Sequence, residues 1–291
     1  MSTISIHNIE TEEEYLDLLE KGMVIDINET ISEQRINALY YASDEKINWL
    51  IKNGININHT DSYGQNMLHN STFSQWEFWI EQGINVHQVD NNGENILFGC
   101  PYYKQFMLFY NENVNVHQVN NKNENLYFSL PSSYDPDEIA TILFSKNVNM
   151  HQVNTKGQNV LFLNLNQKFQ KKFINAGVNV NQMDNKGETP IFHADSTEII
   201  DMLVERGADI NKKNSSGQNA LMRSYTLENA KHLVGKGIDV SFIKNEKQIR
   251  NSPEEVKSYL RTFITINKEK EIINSSLNIQ ENNEYSMKKR I

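Results

Sequence analysis

The residues able to do chemistry in this chain are few, and the most suggestive of them recur at intervals. Eight histidines are present, and His87, His117 and His151 share one local pattern, His-Gln-Val followed by Asp or Asn. Histidine is a common zinc ligand, so three at one recurrent position could form a metal ladder. A zinc ion holds its donors about 2 Å away, whereas stacked elements sit about 8–10 Å apart, which argues against it. Asn58, Asn181, Asn211 and Ser241 take the same place elsewhere, pointing instead to hydrogen bonding within the local segment. His7, His59, His193 and His232 form no spacing pattern. Cys100, the single cysteine, cannot form an internal disulfide. It could be a nucleophile beside a histidine, but Gly99-Cys100-Pro101 ends an apolar segment, where cysteine packs as a small hydrophobe. No paired-carboxylate, H-E-x-x-H, G-x-S-x-G or P-loop pattern occurs. The expectation is a protein with no catalytic residues, no metal and no cofactor, and so not an enzyme.

Composition agrees. The 291 residues are 38% hydrophobic, 22% charged and 10% aromatic, which excludes collagen-like, membrane-embedded and broadly disordered chains. No apolar stretch approaches the roughly 18 residues that span a bilayer. The first ten residues carry neither a basic region nor an apolar core, so a signal peptide is not expected, and the expected location is the cytoplasm. A net charge of −9 repels phosphate backbones, so no nucleic acid is expected and a cationic partner is favoured.

What must position any site is a repeat. Gly64-Gln65-Asn66-Met67-Leu68 returns as Gly93-Glu94-Asn95-Ile96-Leu97, then from Asn123, Gly157, Gly187 and Gly217, at spacings of 29, 30, 34, 30 and 30 residues. A degenerate earlier copy begins at Arg35. A second series, Gly54, Gly83, Asn113, Asn147, Gly177, Gly207 and Gly237, precedes the first by a constant 10 residues. The return interval varies from 19 to 24. A constrained turn gives the fixed interval, and two helices joined by an adjustable loop give the elastic one. Each second-series residue follows an apolar-periodic run such as Ile199–Glu205, a helix ended by a residue with positive φ. Asparagine, the best non-glycine substitute in that conformation, replaces it at positions 113 and 147 and replaces the tip glycine at 123. Asn66, Asn95, Asn125, Asn159, Thr189 and Asn219, two residues after the tip, are helix N-cap types. Asp135-Pro136-Asp137-Glu138 is a further helix start, with proline at the first helical position. Each unit is then an extended finger, a short helix, a loop and a longer helix. Phe73, Trp76, Phe78, Trp79, Phe106, Phe109 and Tyr110 fall at helical spacing and are expected in the core.

These residues resemble the ankyrin repeat. Thr189-Pro190-Ile191-Phe192 and Met67-Leu68-His69 are similar to its T-P-L-H signature, and Gly207-Ala208-Asp209-Ile210-Asn211 to its G-A-D-V-N. The resemblance covers about residues 12–248 and implies an all-α repeat solenoid of about six full copies with terminal capping helices. His69, as the signature histidine, is implied to bond between repeats. The family period is about 33, so copies of 29 or 30 residues should have a shortened first helix. Such shortened, Asn-rich copies resemble bacterial ankyrin proteins, among them immunity proteins of secreted toxins. Residues 1–250 should form the solenoid with an N-terminal cap around Glu12–Gly22. Residues 251–291 should form a capping helix from Glu254 to about Ile264 and a frayed polar tail.

The resemblance implies binding through finger tips and the adjoining short helix. The candidate protein-binding residues are Tyr63, Gln65, Asn92, Glu94, Lys122, Glu124, Lys156, Gln158, Lys186 and Glu188 at the tips. Tyr102, Tyr103 and Tyr134 join them from the loops between helices, with Pro131–Tyr134 as a protruding alternative surface. The expected role is that of a monomeric, non-catalytic binding protein, in its specific form an immunity protein that neutralises a toxin with a basic domain. A secreted effector or scaffold that binds host or cellular proteins is the alternative.

Overall fold

The computed structural model describes residues 4–100, 102–130, 137–163, 165–249 and 251–288. They form two compact units, residues 1–152 and 153–291. Among the described residues there are helices and turns but no strand, and no helix is long and apolar enough to cross a membrane. The fold class is the expected one, an all-α repeat solenoid.

The first unit opens with a capping helix, Glu12–Glu20, whose N-terminus is closed by the Thr11 hydroxyl accepting from the Glu14 amide at 3.2 Å. Four helix pairs follow: Ala38–Tyr41 with Asp44–Lys52, Met67–Asn70 with Phe73–Glu81, Ile96–Gly99 with Tyr103–Asn111, and Leu126–Ser129 with Asp137–Ser145. The second unit contains Val160–Phe162 with Gln167–Asn175, Pro190–His193 with Thr197–Glu205, and Ala220–Arg223 with Leu227–Gly235. The degenerate copy at Arg35 is thus a complete pair. Every second helix is nine residues long, and every first helix is a single turn of three or four residues, mostly 3₁₀. The first helix is a single turn even in the 34-residue copy, at Leu126–Ser129, so its length does not follow the period as expected. One turn suffices because it only has to deliver two or three apolar side chains, such as Leu68 or Leu97, into the core.

The second helices bury one face against their neighbours. Trp76, Trp79, Phe106 and Phe109 fill the first unit, with Trp76 and Phe109 rings 4.9 Å apart. Of the residues expected in the core, Phe73, first in its helix, is 41% exposed, and Phe78 and Tyr110 are only half-buried. Phe169, Phe173, Ile199, Ile200, Leu203 and Leu233 do the same work in the second unit.

Helix ends and a finger tip turn as expected: Asn113 and Asn147 after their helices, and Asn123 at its tip, all hold φ between 55° and 61°. At Gly93 φ is 81°, and a Cβ would also approach Asn121 Oδ1 to 2.9 Å, so both conformation and space demand glycine.

The C-terminal region differs from expectation. The helix that begins at Glu254 runs to Lys288, through the segment read as a frayed tail. Val256, Leu260 and Ile264 are buried, and Asn267 donates to the carbonyls of Val240 and Ile243 at 2.8 and 3.0 Å. That polar anchor carries the helix past its last apolar contact, and Lys244 pairs with Glu271 one turn later.

Candidate functional site

The finger tips are built by asparagine and aspartate. Asp61, Asp90, Asn120, Asn154, Asp184 and Asn214 each accept, through Oδ1, the amides two and four residues ahead, at 2.8 to 3.0 Å. This fixes the turn without a strand partner. The next residue binds the preceding finger: the Asn91 amide donates to Tyr63 O at 2.8 Å and its side chain to Ser62 O at 2.8 Å. Asn121 and Asn185 repeat the pair of bonds. Gln88, Gln118, Gln152 and Gln182 each donate Nε2 to the carbonyl of the preceding tip at 2.8 to 3.0 Å. A ladder of amide side chains, invisible to hydropathy, holds finger to finger.

What remains for a partner is the residue between the ladder positions. Tyr63, Asn92, Lys122, Lys156 and Lys186 are exposed, as are Tyr102 and Tyr103 beside the inter-helix loop. Tyr134 and the Pro131–Tyr134 loop lie outside the described residues, as do Asp135 and Pro136. Gln65, Glu94, Glu124 and Gln158 are only half exposed. Glu188 is 1% exposed, so it cannot serve as a tip contact, contrary to expectation.

These carboxyl and amide groups alternate in a way that serves stacking. Gln65 donates to Asp90 at 3.4 Å, Asn120 donates to Glu94 at 2.8 Å, and Asn214 donates to Glu188 at 3.1 Å. At these contacts an acid on one finger meets an amide on the next. Asn120→Asp, which would place a third carboxylate between Glu94 and Glu124, is expected to cost about 1–3 kcal/mol. Urea denaturation at neutral pH measures that cost, and Glu94→Gln in the same chain should recover much of it.

Sequence reasoning missed the densest polar cluster. Arg223 donates Nε and Nη2 to Glu188 Oε1 at 3.1 and 2.7 Å, and His193 Nε2 lies 3.3 Å from Oε2. Asp184, Glu188 and His193 could in principle hold a metal, their ligand atoms lying within 4.8 Å of one another. Glu188 Oε1 already accepts three hydrogen bonds, from Arg223 and Asn214, and Asp184 Oδ1 accepts two amides, which is the donor set of an ion-paired clasp. Burial first, against the pull of Glu188, holds the His193 imidazole below its ordinary 6.5, and burial does the same to His69. Both rings are more readily protonated in the unfolded chain. Stability is therefore expected to fall as pH drops below about 6.5, and His193→Gln should flatten that part of the profile of urea midpoint against pH.

The ladder histidines His87, His117 and His151 are exposed on the fingers. Where asparagine replaces them, its Oδ1 accepts from the next finger, as Asn58 does from the Asn85 amide at 2.6 Å and Asn181 from Asp209 at 2.9 Å. The hydrogen bonding is thus between fingers rather than within one. His69 Nδ1 contacts Asn66 Oδ1 at 3.1 Å, within its own repeat. Cys100 is buried, its thiol contacts Ile96 O at 3.2 Å, and desolvation pushes its pKa up to about 12. The folded protein is expected to resist iodoacetamide at neutral pH and to react once denaturant opens it, as mass spectrometry of the intact chain would record.

No protein-family model matches the sequence, and no curated protein matches it. Among solved structures, the ankyrin repeat domain of Bcl-3, of the IkappaB protein family, is similar with TM-score 0.46 and 15% identity, over 65% of this chain and 90% of that one. A chain from the complex of a Bdellovibrio bacteriovorus predatory endopeptidase with an immunity protein is similar with TM-score 0.47 and 21% identity, over 56% of this chain and 92% of that one.

Proposed function

We propose that this chain is a non-catalytic protein-binding module that acts as a monomer in the cytoplasm and neutralises a cognate toxin. The observation that carries the binding reading is the division of labour at the tips. Tyr63, Asn92, Lys122, Lys156 and Lys186 stay in solvent while their neighbours are consumed by finger-to-finger hydrogen bonds. A constant backbone with one exposed side chain per repeat is what a recognition surface of variable content needs. Tyr102 and Tyr103 add exposed aromatic rings of the kind that dominate binding hot spots.

Charge refines the partner. The net −9 speeds encounter with a basic protein. Glu188, buried and ion-paired, leaves lysine as the exposed tip charge in the second unit. Lys156 and Lys186 would meet carboxylates on an otherwise basic partner. The toxin-neutralising form of the reading rests on the resemblance of the shortened, Asn-rich copies to bacterial immunity proteins. Co-expression with the products of neighbouring genes tests it. A partner that co-purifies, and whose toxicity this chain suppresses, supports the reading. If none co-purifies or none is neutralised, that reading fails.

A further inference from the structure

We propose that the second unit carries a carboxylate-binding pocket between its last repeat and the start of the C-terminal helix. The cleft, about 180 Å³, lies among Gln218, Arg223, Ser224, Gln248, Asn251 and Ser252. Its wall is polar for the greater part, and Arg223 is the one charged residue among the described residues that line it. The volume suits a single side chain or chain end rather than a cofactor, which usually requires roughly 300 Å³ or more.

Arg223 gives the cleft its sign, and two further features fit it to an anion. Ser224 is 7% exposed, yet its hydroxyl has no hydrogen-bond partner, and a buried unpaired donor is a cost that an incoming acceptor would remove. Asn251, Ser252 and Pro253 lead directly into the 35-residue helix Glu254–Lys288, whose N-terminus carries the positive end of the helix dipole. Glu254, in that turn, is drawn away by Arg261 at 3.0 Å and Lys257 at 3.4 Å. A planar anion in the cleft would accept from Ser224 and lie beside the Arg223 guanidinium, which still holds Glu188.

The ligand chemistry is a carboxylate, supplied either by an aspartate or glutamate of the partner or by the end of its chain. This rests on the binding reading above and names the group that the partner inserts, but the pocket can be tested without any partner. The probes are acetate, N-acetylglycine for a chain end, and N-acetylaspartate amide for a side chain, each titrated into the ¹⁵N-labelled full chain. Saturable NMR shifts confined to Gln218, Gln248 and Asn251, with Kd in the millimolar range, are expected for carboxylates and absent for N-acetylglycinamide. The tighter of the two acetylated acids identifies the source. Ser224→Ala should weaken binding about tenfold while leaving thermal stability unchanged or raised, since it deletes an unpaired hydroxyl. Absence of saturable shifts, equal response to the amide, or full binding by Ser224→Ala overturns the pocket. A toxin partner that binds without any of these responses would leave the binding reading standing and remove only this site.

Discussion

Arg223→Ala is expected to destabilise the second unit by about 3 kcal/mol, because it strands a charge that the fold has closed over. The Glu188 side chain is 2% exposed and Arg223 supplies two of its hydrogen bonds, both to Oε1. The surviving partners are Asn214, a neutral donor at 3.1 Å, and His193, whose imidazole pKa is held below its ordinary range by burial. The expected loss sits at the lower end for buried pairs because Arg223 itself keeps 39% of its side chain in solvent. Glu188→Gln should change stability far less, since an amide at that place needs no counter-charge. The double variant should be more stable than Arg223→Ala alone, and urea unfolding of all four chains gives the coupling directly. Equal losses for Arg223→Ala in both backgrounds would show that the guanidinium contributes packing rather than charge.

This clasp also marks where sequence reading stops. The positive-φ asparagines at 113, 123 and 147 could be recognised because one residue's backbone preference sufficed, and the caps at Asn66 or Asn219 because the bonded amide lies two residues ahead. Glu188 shares its repeat position with Glu94 and Gln65, and nothing local separates it from them. Its burial depends on Arg223, which lies 35 residues away and faces it only once successive fingers are stacked. The C-terminal helix hid for the same reason. Its apolar pattern weakens after Ile264, and the bonds that extend it, from Asn267 to Val240 and Ile243, span 27 and 24 residues. Lys122, Lys156 and Lys186 were legible as tip residues, but their accessibility followed only from seeing which neighbours the ladder consumes.

Asn159→Leu is expected to cost about 2–4 kcal/mol, although leucine is apolar, similar in size and placed where the side chain is 1% exposed. The carboxamide does two jobs at once. Its Oδ1 accepts from the Leu161 amide at 3.1 Å, capping the short helix, and its Nδ2 donates to Asn179 O at 2.8 Å, fixing the next finger. Leucine leaves both backbone groups buried and unpaired. The same double bond recurs at Asn37, Asn66, Asn95, Asn125 and Asn219, which accounts for asparagine at this position better than compositional bias does. Thr189 breaks the series: its hydroxyl makes no cap bond and is buried without a partner. Thr189→Asn should therefore raise stability by about 1 kcal/mol, the reverse of the loss at position 159. Thermal melts of the two variants beside the parent chain decide the matter, and a neutral Asn159→Leu would mean that water, not the ladder, satisfies the Asn179 carbonyl.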